Sequence, residues 1–261
     1  MAEQSAAGPE EIGSAGSPHG VAVVTGASAG IGAATARALS EAGFSVVIGA
    51  RRMDRLKELA NEIGAVALSL DVTDPDSVRA FAEQVPDCRV MVNNAGGAKG
   101  REVVAEADEE AWRWMIDVNY LGTARVTKAL LPALERSGHG HLVIVGSVAG
   151  FETYPGGAGY TAAKHAERAL TRTLRLELLG KPIRITEISP GLVGGTEFSV
   201  VRFGGDEERA RKVYEGLTPL SPEDVADCIT WAVTRPSHVN VDEIVVRPRD
   251  QATATEFHRR S

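Results

Sequence analysis

Cysteine is nearly absent: Cys88 and Cys228 are the only two in 261 residues, far apart and in no CxxC or Cys/His spacing. That excludes a disulfide scaffold and argues against a zinc site, leaving reduced thiols as the plain reading. Aromatic residues make up only 5%. No apolar run approaches the roughly 20 residues that a bilayer span requires, and no apolar stretch follows a basic start at the N-terminus. A soluble, cytoplasmic protein without a membrane role is therefore expected. Positive charge is also short: 28 Lys and Arg stand against 35 Asp and Glu, for a net charge of −7. Binding a phosphate backbone needs cations clustered on one face, so nucleic acid is not an expected partner. The six histidines are scattered, and His139 and His141 in HGHL read as a loop entering a strand, so no metal is expected.

What is abundant is glycine, 28 residues, within an otherwise ordinary composition of 43% apolar and 24% charged residues. Residues 1–18 lack hydrophobic periodicity and read as a disordered tail, placing the folded domain at 19–261. Short β-branched runs begin at Val21, Ser45, Ala65, Arg89, His141, Ile183 and Asp242. Between them lie helical patterns at Ile31–Ala42, Met53–Glu62, Asp76–Gln84, Glu109–Arg136, Tyr160–Leu179 and Pro222–Thr234. Near-continuous apolar strands alternating with helices require a parallel sheet covered on both faces. The expectation is one α/β domain, a doubly wound parallel sheet of about seven strands. The glycines from Gly191 to Gly205 fall in one loop, read as a lid over about 191–216.

Three clusters carry chemistry. First, Thr25-Gly26-Ala27-Ser28-Ala29-Gly30-Ile31-Gly32 links the first strand to a helix. Glycines there let backbone approach a pyrophosphate, and the helix start offers unpaired N–H groups. Second, the next strand ends in Arg51-Arg52, where an acid would bind the ribose 2′-OH of NAD and an arginine would accommodate the 2′-phosphate of NADP. NADP(H) is favoured; the alternative is a solvated charge pair at a helix start. Third, Tyr160 and Lys164 share one helical face at i, i+4, and an ammonium beside a phenol favours the phenolate needed for proton transfer. Ser147, at the end of the strand just upstream, could hold a substrate oxygen beside that phenol. Asn119, within an apolar helical stretch, is either a satisfied buried amide or a water-holding relay residue.

TGASAGIG, Asp71-Val72, Asn93-Asn94-Ala95-Gly96, Asn119, Ser147, Tyr160, Lys164 and Pro190-Gly191 occur in the order and spacing of the short-chain dehydrogenase/reductase family. The chain resembles that family from about Val21 to Val246. The resemblance implies a Rossmann fold and an NADP-dependent oxidoreductase acting on a secondary alcohol or ketone. It implies Tyr160 as general acid/base, Lys164 on the nicotinamide ribose, Ser147 on the substrate oxygen and Asn119 in a water-linked proton path. The remaining cofactor contacts it implies are Gly26, Ser28, Ala29, Gly30 and Ile31 at the phosphates, Asp71 and Val72 at the adenine, Asn94 in the cleft, and Pro190, Gly191, Val193 and Thr196 over the nicotinamide.

A narrower resemblance, carried by PGLVGGTEFS from Pro190, Val201-Arg202-Phe203, Gly205-Asp206, SPEDV from Ser221 and His238-Val239-Asn240, is to NADP-dependent 3-hydroxy acid dehydrogenases that oxidise serine and allo-threonine. The long tail and the charges of the loop Gly97–Arg101 depart from that pattern. A 3-hydroxy acid or β-hydroxy amino acid brings a carboxylate, for which Arg202 is the expected partner, with Lys99 and Arg101 as competitors. The alternatives are reduction of uncharged ketones, steroids or quinones, and, more remotely, a non-catalytic NADP-binding regulator. The family resemblance further implies a homo-oligomer, a tetramer or dimer, with helices Glu109–Arg136 and Tyr160–Leu179 packing across subunits. The C-terminal Gln251–Ser261 would cross an interface or be loose.

Overall fold

Five consecutive apolar or small residues, Val21–Thr25, form strand β1 with every side chain buried, as a strand covered on both faces requires. The computed structural model describes residues 19–260; the tail expected at 1–18 lies outside the described residues. Strands β2 (Ser45–Ala50), β3 (Val66–Ser69), β4 (Val90–Asn93), β5 (Gly140–Val145), β6 (Ile183–Pro190) and β7 (Glu243–Val246) complete one sheet in the order β3-β2-β1-β4-β5-β6-β7. Every pairing is parallel. The chain winds outward from β1 to β3, then returns to β4 on the other side of β1. Their carboxyl ends form the crevice where such sheets bind ligands.

Helices α1 (Gly30–Glu41), α2 (Met53–Ile63) and α3 (Pro75–Glu83) follow the first three strands. Next come α4 (Glu109–Ile116), α5 (Gly122–Arg136), α6 (Ala158–Glu177), two short helices α7 (Phe198–Arg202) and α8 (Glu207–Lys212), and α9 (Pro222–Val233). Two cores result from the two-residue period of the strands. Val21 and Val23 of β1 with Leu142 and Ile144 of β5 face Phe81, Leu130 and Leu174 of α3, α5 and α6. Ala22, Val24, Val143 and Val145 face Leu39, Leu56 and Ile229 of α1, α2 and α9. Each fully buried Leu or Ile contributes roughly 1.5–3 kcal/mol, so both faces stabilise the sheet that aligns the strand tips.

Three local features differ from the sequence expectation. The helix expected over Glu109–Arg136 is interrupted by a π turn at Asp117–Leu121, which contains Asn119. Ser147 stands two residues beyond β5 and caps a 3₁₀ turn, Val148–Gly150, where its Oγ accepts from the Ala149 N–H at 3.1 Å. The lid is not a plain loop, because α7 and α8 lie within it. Among the described residues, the C-terminal segment is not loose: the Gln251 side chain accepts from Leu192 N–H at 2.8 Å, and Arg260 N–H donates to Gly216 O at 2.8 Å. It therefore packs against both ends of the lid.

Candidate active site

At the switch point, β1 hands the chain to the glycine turn. Gly26 has φ of 68°, a left-handed value that favours glycine. Gly32 is needed for another reason: a Cβ there would lie 2.5 Å from the Asn94 amide nitrogen and 2.6 Å from Gly26 O. Asn94, just past β4, ties the turn down by donating to Thr25 O at 2.8 Å, while its own N–H and that of Ala95 donate to Thr25 Oγ at 3.0 Å. Helix α1 begins after Ala29, whose methyl cannot cap it, and its first turn carries no acid. An uncapped helix start with partial positive charge, reached over glycines, is a fit for a pyrophosphate.

Arg51 and Arg52 stand at the tip of β2. Among the described residues Arg51 makes no ion pair, whereas Arg52 donates to Ser28 Oγ at 2.9 and 3.1 Å and pairs with Glu197 at 2.7 Å. Arg55 shares Glu197, also at 2.7 Å. The hydrogen bond from Arg55, with Arg52 beside it, holds the Glu197 carboxyl below the usual range. The lid is thereby bound to the cation cluster at the β2 tip. Asp71 accepts from the N–H and hydroxyl of Thr73 at 2.9 and 2.7 Å. Burial works against its charge, but those bonds and Arg51 keep its carboxyl below the usual range.

Asn119 is fully buried: its amide donates to Gly97 O at 2.9 Å and Met115 O at 2.8 Å, and its Oδ1 accepts from Gly97 N–H at 3.1 Å. These contacts satisfy the side-chain amide, a state compatible with both alternatives left open by the sequence. The π turn that carries it is a tertiary device, clamping the Gly96–Gly97 strand extension to the helix.

Tyr160 and Lys164 are both buried on α6. The Lys164 ammonium donates to Val145 O at 3.0 Å and to Glu167 at 2.6 Å. Burial works against its charge, yet Glu167, Tyr160 and Glu187 outweigh that and hold its pKa above the ordinary lysine value. For Tyr160, burial pushes the phenol up more than Lys164 and a hydrogen bond with Ser147 pull it down. In this structure the lysine therefore moderates the phenol without making it more acidic than free tyrosine. Arg202 in α7 donates Nε to Gly100 O at 2.9 Å and Nη1 to the Tyr154 hydroxyl at 3.1 Å, and its guanidinium lies 5.7 Å from the Tyr160 ring centre. Its Nη2 is buried without a partner. Of its competitors, Lys99 stacks on Trp114 at 4.4 Å and Arg101 faces the Tyr154 ring at 5.6 Å.

The catalytic and cofactor residues drawn from the sequence, from Gly26 through Asp71, Asn119, Ser147 and Tyr160, and also Arg101 and Arg202, line one cleft of about 970 Å³, whereas Lys99 does not. Sequence reasoning missed Glu167, although Tyr160, Lys164 and Glu167 form one helical stripe by spacing. It also missed Tyr154 and Gln251, which brace Arg202 and the lid.

A nucleotide-binding cleft at the switch point of a parallel seven-stranded sheet, with Tyr160, Lys164 and Ser147 at its inner end, defines a dinucleotide-dependent oxidoreductase. The short chain dehydrogenase family model matches residues 20–203, and the chain belongs to that family. It is 62% identical over 235 residues to an uncharacterised oxidoreductase of Mycobacterium tuberculosis (strain H37Rv), covering 90% of this chain and 93% of that one. It is 40% identical over 240 residues to the NADP-dependent 3-hydroxy acid dehydrogenase YdfG of Escherichia coli (strain K12), covering 90% and 97%. Among solved structures, the closed form of serine dehydrogenase complexed with NADP+ matches with a TM-score of 0.86 and 39% identity, over 92% of this chain and 100% of that one.

Proposed function

We propose that the protein transfers hydride between NADP(H) and the hydroxyl-bearing carbon of a 3-hydroxy acid or β-hydroxy amino acid. The observation that carries the substrate class is the buried, unpartnered Nη2 of Arg202 beside the Tyr160 ring. A buried guanidinium N–H without an acceptor is costly, and a carboxylate with its hydroxyl on Tyr160 supplies one. The similarity to relatives named for 3-hydroxy acids and serine supports the same reading.

In this account Ser147 and Tyr160 grip the substrate oxygen from two sides. Tyr160 takes the hydroxyl proton in oxidation and returns it in reduction, and Lys164 keeps the phenol within reach of ionisation. The nicotinamide, when bound, accepts or supplies the hydride. Gly26, Ser28, Ala29, Gly30 and Ile31 hold the pyrophosphate, with Arg51 and Arg52 on the 2′-phosphate. Asp71 and Val72 flank the adenine, while Pro190, Gly191, Val193 and Thr196 cover the nicotinamide as part of a lid over about 191–216. Asn119 fixes the floor by clamping Gly97. Among the described residues no helix is long and apolar enough to cross a membrane. Two free thiols suit a reducing cytoplasm, and exposed Leu121, Leu176, Trp231 and Val245 offer apolar surface for a dimer or tetramer. A panel of 3-hydroxy acids, β-hydroxy amino acids and uncharged ketones, assayed with NADP(H) and NAD(H), tests the proposal. Preference for an uncharged ketone or for NAD(H) contradicts it.

A further inference from the structure

Lys164 and Glu167 form a buried ion pair at 2.6 Å, with side chains 6% and 2% exposed. The other Glu167 oxygen accepts from the Thr123 hydroxyl at 3.0 Å. Replacing such a pair with apolar residues is often neutral or stabilising, so its presence at the inner end of the cleft calls for a role other than stability. The nearby carboxylates are otherwise engaged: Arg168 is shared by Glu187 at 3.2 Å and Glu243 at 2.5 Å, and Ser189 donates to Glu187 at 2.9 Å. Glu167 is thus the carboxylate in contact with the Lys164 ammonium.

We propose that Glu167 is a positioning residue that holds Lys164 by one of its three N–H groups and offsets its field on Tyr160, setting the pH at which the phenol works. The inference rests on Tyr160 being the acid/base of the proposed reaction. A bare ammonium beside the phenol would favour phenolate strongly; a carboxylate bonded to that ammonium cancels part of the effect. The result favours the protonated phenol at neutral pH, the form that donates to a carbonyl during reduction, and leaves oxidation to gain from alkaline conditions. Two N–H groups of Lys164 remain, for Val145 O and for a ribose hydroxyl.

Charged and titratable groups face the phenol from several elements: the loop after β4 brings Lys99, Arg101 and Glu102, and Asp108 caps α4. On α6 they are Lys164, Glu167 and Arg168; β6 brings Glu187, β7 brings Glu243 through Arg168, the segment before α6 brings Tyr154, and α7 brings Arg202 over the ring. From the turn after β5 comes Ser147, from the π turn Asn119 and from α5 Thr123, all uncharged, while Asp117 of the π turn is paired with Arg125 at 2.8 Å.

The test compares Glu167→Gln, Glu167→Met and Glu167→Asp for the pH dependence of kcat/KM in the oxidation direction, with NADPH dissociation constants measured by fluorescence titration. Gln and Met both remove the charge, and either alone suffices if the other does not fold. The acid limb moves down by about one pH unit in both, raising oxidation up to about tenfold at pH values below the wild-type limb. Gln, still an acceptor for Lys164, keeps the NADPH dissociation constant within about threefold, and Asp restores the wild-type limb. An unchanged limb overturns the inference, as does an upward shift, which would make Glu167 merely the group that keeps Lys164 protonated. Tyr160→Phe separates the two readings: turnover and an acid limb that survive in that variant refute the acid/base assignment itself, whereas their loss beside an unmoved Gln or Met limb refutes the role of Glu167 alone.

Discussion

The guanidinium of Arg202 donates to the Tyr154 hydroxyl at 3.1 Å, which fixes its plane and leaves Nη2 buried without an acceptor. A positioned donor of this kind binds a carboxylate with little reorganisation. Arg202→Ala is expected to lower kcat/KM for a 3-hydroxy acid by about 30-fold or more, the scale of a charge-assisted bond of about 2–3 kcal/mol. The same variant should change turnover of an uncharged secondary alcohol by less than about threefold. Parallel kinetics on the two substrates decide the matter; equal losses remove the carboxylate role.

Arg52 divides its guanidinium between Ser28 and Glu197, so the glycine turn and the lid meet at one side chain, the side chain proposed for the 2′-phosphate. Neutralising Arg51 and Arg52 together should weaken NADPH binding by about 100-fold or more while changing NADH binding by only a few fold, since just one cofactor carries the 2′-phosphate. Fluorescence titration with both nucleotides measures this. Parallel losses exclude a 2′-phosphate contact.

Gly32→Ala forces a methyl against Gly26 O, an atom of the backbone that cannot swing away. The expected cost is about 1–3 kcal/mol of stability, as for other overpacked sites, together with weaker NADPH binding as the turn is pushed out of shape. Urea denaturation with and without cofactor checks both effects.

Buried His141 predicts acid sensitivity. Thr186 donates its hydroxyl to Val241 O, so the 2.7 Å contact between His141 Nε2 and Thr186 has the imidazole as donor and leaves Nδ1 as an unpartnered acceptor. Burial, with Arg184 nearby, drives the His141 pKa down to about 3. The unfolded chain takes up a proton below about 6.5 that the folded protein refuses until about 3. This residue therefore leaves stability unchanged above pH 6.5 and lowers it as the pH falls through that window, by about 2 kcal/mol at pH 5. Urea midpoints at pH 7 and pH 5 should converge in His141→Gln relative to wild type.

Much of this architecture was legible because β1, β4 and β5 are mostly apolar and the Gly26–Gly32 turn sits at a strand end, so the alternation of strands and helices marks a parallel sheet covered on both faces. Part of the candidate site was legible in the same way, because the glycine turn, Arg51, Arg52, Asp71 and Asn94 follow strand ends that the topology brings together, while Tyr160 and Lys164 share one face of α6. What escaped was set by tertiary contact. The π turn accompanies the contact of Asn119 with Gly97, and no local propensity signals it. Helices α7 and α8 have only five and six residues, too short for periodicity to reveal and stable only when packed. The pairing of Arg52 with Glu197 joins residues 145 apart in the chain. Glu167 has the spacing of the active stripe, but a glutamate on a helix reads as solvent-exposed until its burial is seen.

The central claim is that Tyr160 moves the substrate proton in an NADP(H)-dependent reaction. Tyr160→Phe keeps the ring that packs against Phe198 and removes only the hydroxyl. Steady-state turnover of a 3-hydroxy acid with NADP+ should fall by about 10²–10⁴-fold in this variant, with the NADPH dissociation constant nearly unchanged. Turnover within a few fold of wild type would contradict the account.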